Sequence, residues 1–226
     1  MLIMIEREDI NTLLSTTLRR FLYDNFYSTE TMNTGTYGTG YAEKLLTQLT
    51  IATGMLSGSY CRMNYNFPCF NPYYSTFQAC LSFDYNKDVF AFFGFKKFAT
   101  EPAWNMTESH AGFMLNNPSN NGMIYTSTAN DYNQERIPIT ELDPKRKIIY
   151  RIELNKFSYF NMPVVIPYFD GIEIEKLEKK WSVPVQNANY LPLNQDHYLV
   201  FYIENKTNQN RYMLLNKIIY TEKYAD

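Results

Sequence analysis

Trp104, Tyr125 and Tyr132, with Asn130, Asp131 and Arg151, are the side chains here best equipped to grip a polyhydroxylated ligand. An aromatic face stacks on the apolar face of a sugar ring, while amide, carboxylate and guanidinium groups hydrogen-bond its hydroxyls. Each of the six also fits a plainer role. Trp104, beside Pro102, can anchor a loop in the core, Tyr125 and Arg151 can be ordinary outward strand residues, and Asn130-Asp131 can be a turn.

Other chemistry is sparse. Asp84, Asn86 and Asp88 offer oxygen ligands at alternate positions, so calcium is one reading of them and turn formation the other. Cys61, Cys69 and Cys80 have no CxxC spacing and no histidine close by, which argues against zinc. They read as buried thiols, with a disulfide between two of them as the alternative. His110 and His197 are the only histidines, and no serine sits in a G-x-S-x-G elbow. Gly35, Gly38 and Gly40 lack the lysine and the following helix of a phosphate-cradling loop.

Composition narrows the partners. A formal charge of −2 and a pI near 5.8 give no basic footprint for nucleic acid, and Lys145-Arg146-Lys147 reads as a solvated turn. No run approaches the ~18 consecutive apolar residues of a membrane helix. Met1 to Ile5 is followed at once by Glu6, Arg7, Glu8 and Asp9, unlike a secretion signal. The expectation is a cytoplasmic protein, a mature form or a virion component.

The elements that must position the candidates are strands. Aromatic residues make up 17% of the 226-residue chain, with 20 Tyr and 16 Phe, a balance that favours pleated, half-buried surfaces. Short apolar or alternating runs recur at 77–83, 89–98, 111–115, 123–128, 148–154, 157–160, 164–169, 198–204 and 212–220, bounded by Asn, Pro, Gly or Asp. The run 89–98 is apolar on both sides, as in a central strand covered on both faces. Residues 116–122 form a hairpin connection, and Asp170-Gly171 reads as a tight turn. Asp9 as N-cap, with Ile10, Leu13, Leu14, Leu18, Phe21 and Leu22, predicts one amphipathic helix over 6–23. The expected organisation is a helix and extended loop over 1–41 and a β-sandwich over 42–226, one domain overall.

In this order, Phe83-Asp84-Tyr85-Asn86, Phe90 to Phe95, Ala111-Gly112-Phe113, Ile124-Tyr125-Thr126, Leu142-Asp143, Tyr150-Arg151-Ile152-Glu153 and Pro167 to Gly171 resemble the concanavalin A-like jelly roll. Lectins, laminin G-like modules and laminarinase-type hydrolases share that fold. The resemblance implies an all-β, antiparallel two-sheet sandwich. In its enzymatic branch it implies E-x-D-x-x-E on one strand, with carboxylates aligned as nucleophile and acid.

Glu173-Ile174-Glu175-Lys176-Leu177-Glu178 comes near that pattern, with Glu175 at the Asp position. It follows Asp170-Gly171, where the resemblance puts an outer hairpin strand, and Lys176, Lys179 and Lys180 suit a solvated edge. No catalytic residue is expected. The reading is a non-enzymatic surface or assembly protein, such as a virion capsid, spike or fibre component with glycan recognition, which self-associates. A lectin-like carbohydrate-binding module and a laminarinase-type glycoside hydrolase are the alternatives.

Overall fold

The computed structural model describes residues 18–24, 32–45, 48–73, 75–116, 119–140, 142–159, 162–173, 180–184 and 188–223. In chain order the strands are β1 (Leu18–Asp24), β2 (Met32–Tyr37), β3 (Tyr41–Leu45), β4 (Gln48–Ala52), β5 (Tyr60–Tyr65), β6 (Ser75–Phe83), β7 (Val89–Lys96) and β8 (His110–Leu115). They continue with β9 (Ile124–Ala129), β10 (Gln134–Ile139), β11 (Ile148–Tyr159), β12 (Met162–Glu173), β13 (Lys180–Pro184), β14 (Tyr198–Asn205) and β15 (Tyr212–Lys223). One sheet, here the front, runs β10-β9-β8-β7-β14-β5-β2. The back sheet runs β13-β12-β11-β6-β15-β4-β3, with β1 paired to β15. All named ladders are antiparallel, and the result is a two-sheet sandwich.

The Phe-rich run puts β7 at the centre, with every side chain buried. Alternation divides them. Phe93 and Phe95 point between the sheets, where Phe93 stacks on Phe113 at 5.2 Å and meets Tyr150 edge-on at 4.8 Å. Phe90 and Phe92 belong to a second cluster with Met114, Tyr125, Val200 and Tyr202, on the outer face of the front sheet. Burying both faces requires a cover, and residues 97–109 supply it through Met106 and Trp104. Gly94 and Gly112 face each other across β7 and β8. A Cβ at Gly94 would stand 2.5 Å from the Ala111 carbonyl, and one at Gly112 would stand 2.6 Å from the Phe92 ring. Only glycine allows that approach.

Several expectations are corrected. Residues 18–24 form β1 rather than the end of a helix, because Leu18 to Asp24 complete the ladder against β15; the rest of the 6–23 segment lies outside the described residues. The polar stretch expected to be loop contributes β2, an edge strand whose Met32 is buried in the core. Asp170-Gly171 is not a turn: it lies inside β12, opposite Arg151 and Tyr150 of β11, which itself continues to Tyr159. Pro138 sits on β10, the front-sheet edge, where a missing N–H costs no ladder bond.

Candidate functional site

The outer face of the front sheet is organised by Lys96. It is fully buried at the end of β7, and its ammonium donates to both Glu108 carboxylate oxygens at 2.8 and 2.7 Å, to Thr100 Oγ1 at 2.6 Å and to the Phe98 carbonyl at 3.3 Å. Burial pulls the Lys96 pKa down and Glu108 acts against that. This charge cluster ties both ends of residues 97–109 to the sheet. The middle is tied by Arg62, which donates to Glu101 at 2.7 Å, and by Arg136, which donates to the Trp104 carbonyl at 2.7 Å. The loop therefore crosses the face and places Trp104 at the far end, where β7 begins.

There Trp104 is fixed from two sides. Tyr125 meets its ring edge-on at 5.0 Å, and the Arg136 guanidinium lies 4.5 Å above it. Beside it opens a cavity of about 450 Å³ lined by Asp88, Val89, Phe90, Pro102, Ala103, Trp104, Asn120, Glu204 and Lys206. Its lining mixes apolar surface from Phe90, Pro102 and Trp104 with two carboxylates, an amide and an ammonium, and the Lys206 ammonium lies 5.9 Å over the Phe90 ring.

Part of the polar lining is preset. Asp88 and Asn120 both hold left-handed backbone, with φ of 57° and 52°. The Asp88 N–H donates to Asn120 Oδ1 at 2.6 Å, and the Asn120 amide donates back to Asp88 Oδ1 at 2.7 Å. Buried Asn116, also at positive φ, joins the two turns by donating to the Asn86 and Val89 carbonyls and accepting from the Gly122 N–H. Such conformations cost free energy in non-glycine residues and concentrate where geometry matters. Lys206 donates to Glu204 at 2.6 Å, and Arg211 stands 3.7 Å from Asp88.

Of the six residues singled out from sequence, the fold brings Trp104 and Tyr125 together here. Asn130, Asp131 and Tyr132 form the turn at the opposite end of the β9–β10 hairpin. Asn130 Oδ1 accepts the N–H groups of Tyr132 and Asn133, Asp131 is bound by Lys97 at 2.5 Å and by the Ser109 N–H at 2.7 Å, and Tyr132 is 81% exposed. Arg151 lies on the back sheet, ion-paired with Glu153. Sequence singles out Asp88 only with Asp84 and Asn86, as calcium ligands or turn formers, and does not connect it with Asn120, Glu204 or Lys206. Asn120, shortly before Gly122, signals a turn, but its partner lies 32 positions away, a distance that local pattern does not bridge.

The remaining candidates lie elsewhere. The Ser109 hydroxyl donates to His197 Nε2 at 2.9 Å and accepts from the Leu193 N–H, while His197 Nδ1 donates to the Gln195 carbonyl. Ser109 and His197 have no exposure, and Asp131 binds the serine backbone and Lys97, so the trio fastens a loop. Burial pulls His197 down to about 4 and His110 down to about 3. Asp84 accepts the Tyr212 N–H, the Asn86 amide donates to the Gly122 carbonyl, and Asp88 is held as above. Among the described residues no group of three or more His, Cys, Asp or Glu could share a metal ion. Cys61 and Cys80 are buried and Cys69 is half-buried, and burial pushes the Cys61 thiol up to about 12. Glu173 is on β12 of the back sheet; Glu175 and Glu178 lie outside the described residues.

No protein-family model and no curated protein matches the sequence. Solved structures do match the fold. A legume lectin-like domain from Entamoeba histolytica aligns with a TM-score of 0.61 at 11% identity, covering 90% of this chain and 97% of its own. The exoplasmic/lumenal domain of VIP36, in a Ca2+/Man2-bound form, aligns at 0.63 and 8% identity, covering 93% and 91%. A glycoside hydrolase family 16 endo-glucanase from Bacteroides ovatus aligns at 0.57 and 10% identity, covering 88% and 99%. At these identities the likeness is one of fold alone.

Proposed function

We propose that this chain, a concanavalin A-like jelly roll, is a non-catalytic carbohydrate-binding module whose site is the Trp104 cavity. The observation that carries the reading is the mixed lining of one cavity of about 450 Å³, in which apolar Trp104, Pro102 and Phe90 stand with Asp88, Asn120, Glu204 and Lys206. A pyranose presents apolar C–H faces and a rim of hydroxyls, so it suits a lining that offers both aromatic surface and polar groups. The volume suits a small saccharide, near the lower end of the ~300–1,000 Å³ of ligand pockets. That two of the similar folds are a legume lectin-like domain and a VIP36 domain in a Ca2+/Man2-bound form supports the same reading. A role in a virion or other assembly gains no support from these neighbours.

One observation favours a second reading, a glycoside hydrolase: Asp88 and Glu204 both line the cavity, and such enzymes use two carboxylates. Each already faces a cation, Arg211 or Lys206, an arrangement suited to fixed acceptors rather than to a group that must hand over a proton. A printed glycan array followed by a reducing-sugar assay on the bound glycans separates the two. Binding without release of reducing ends is expected. Release that is lost in Glu204→Gln makes the protein a hydrolase, and no bound glycan ends the carbohydrate reading.

A further inference from the structure

The cavity has a continuation. Glu204, on its wall, pairs in register with Phe90 of β7 on one side and Tyr60 of β5 on the other, and Tyr60 pairs with Tyr37 of β2. Phe90, Glu204, Tyr60 and Tyr37 thus form one row across four strands, about 14 Å long at ~4.8 Å per strand. The rings form a chain of contacts on the outer face: Phe90 to Tyr202 at 6.1 Å, Tyr202 to Tyr60 at 5.4 Å, and Tyr60 stacked on Tyr37 at 5.9 Å with 21° between planes. Exposure rises along the row, from 5% at Phe90 to 64% at Tyr37. Exposed Glu101 lies alongside, accepting from the Tyr60 hydroxyl at 3.1 Å and from Arg62. Gly35 makes room for that arginine, since a Cβ there would stand 2.8 Å from Arg62 Nη2. In the other direction the way is shut. Trp104 is backed by Tyr125 and Arg136, and the central outward side chains Phe92, Met114 and Lys96 have no exposure under residues 97–109.

We infer that the binding site runs from the cavity along this tyrosine row, so that the ligand is a linear oligosaccharide with its end residue in the cavity and its next rings over Tyr60 and Tyr37. The inference rests on the carbohydrate reading of the cavity. A ring advances about one strand spacing, so the row takes about three. Polymers threaded across the whole face do not fit, because residues 97–109 cover its centre.

The test is calorimetric titration of wild type and Tyr37→Ala with glucose-, mannose- and N-acetylglucosamine-based linear oligosaccharides of one to four residues. Tyr37 lies on an edge strand and is mostly exposed, so its removal leaves the core intact. Wild-type affinity is expected to rise at least about fivefold from mono- to trisaccharide, and Tyr37→Ala to lose that gain while keeping the monosaccharide affinity. Affinity that is flat with length, or a full length gain in Tyr37→Ala, overturns the inference and leaves the cavity as the site. If no probe of any length binds the wild type, the carbohydrate reading itself falls and the inference falls with it.

Discussion

Asp88 and Asn120 hold each other in place: each gives the other one hydrogen bond, at 2.6 and 2.7 Å, and both stand in left-handed backbone on the wall of one cavity. Two turns distant in sequence are thereby fixed before any ligand arrives, and preorganisation of this kind removes an entropic cost from binding. Asn120→Gly tolerates the backbone but deletes both bonds. It is expected to weaken glycan binding about tenfold while the melting temperature moves by only a few degrees. Unchanged affinity, measured by titration, contradicts a role for the pair in the site.

The cover over the front sheet depends on Lys96 and Glu108. Glu108→Ala leaves a buried ammonium facing only Thr100 and the Phe98 carbonyl. Because Glu108 is 21% exposed and Lys96 1%, a loss of about 2–3 kcal/mol in urea unfolding is expected, below the full cost of breaking a wholly buried pair. Glu108→Ala combined with Lys96→Met recovers part of it. A loss of about 0.5 kcal/mol or less marks the pair as a surface ion pair instead.

Tyr150 is fully buried among Phe93 and Phe113, and its hydroxyl has no hydrogen-bond partner among the described residues. An unsatisfied buried hydroxyl costs free energy that its removal returns. Tyr150→Phe is therefore expected to be neutral or to stabilise by about 1 kcal/mol. Clear destabilisation on urea unfolding means that the hydroxyl has a bonded partner.

Both histidines are neutral and buried, with folded pKa values of about 4 for His197 and about 3 for His110 against about 6.5 unfolded. Between those values the unfolded chain binds more protons, so their contribution is complete above pH ~6.5 and is lost as pH falls through the folded values. Stability is expected to fall by on the order of 1 kcal/mol per pH unit for each histidine over that window. His197→Gln has the shallower slope. Melting curves that do not change between pH 6.5 and 5, above the range where most carboxylates titrate, contradict the burial of both.

The sandwich was legible because its signal is local. The two-sided apolar run at 89–96 can only be a strand covered twice, and the Asn- and Gly-rich 116–122 connection can only turn. Leu18, Phe21 and Leu22 misled, because apolar residues three and four apart fit a helix as well as an edge strand whose partner, β15, lies 200 positions on in sequence at Lys223 to Ile218. Part of the proposed site was legible. Trp104 and Tyr125 carry a chemistry visible from residue type, whereas Glu204 reads as an ordinary strand residue until register sets it between Phe90 and Tyr60. Asn130, Asp131 and Tyr132 carry similar chemistry at the opposite end of the β9–β10 hairpin, and Arg151 carries it on the other sheet.

The most direct measurement is calorimetric titration of the best array-selected saccharide into wild type and Trp104→Ala, with the fold of the variant checked by circular dichroism. The wild type is expected to bind one saccharide per chain, and the folded variant to lose at least about tenfold in affinity with the stacking face gone. A folded Trp104→Ala that binds as tightly as the wild type would place any glycan site elsewhere and contradict the account.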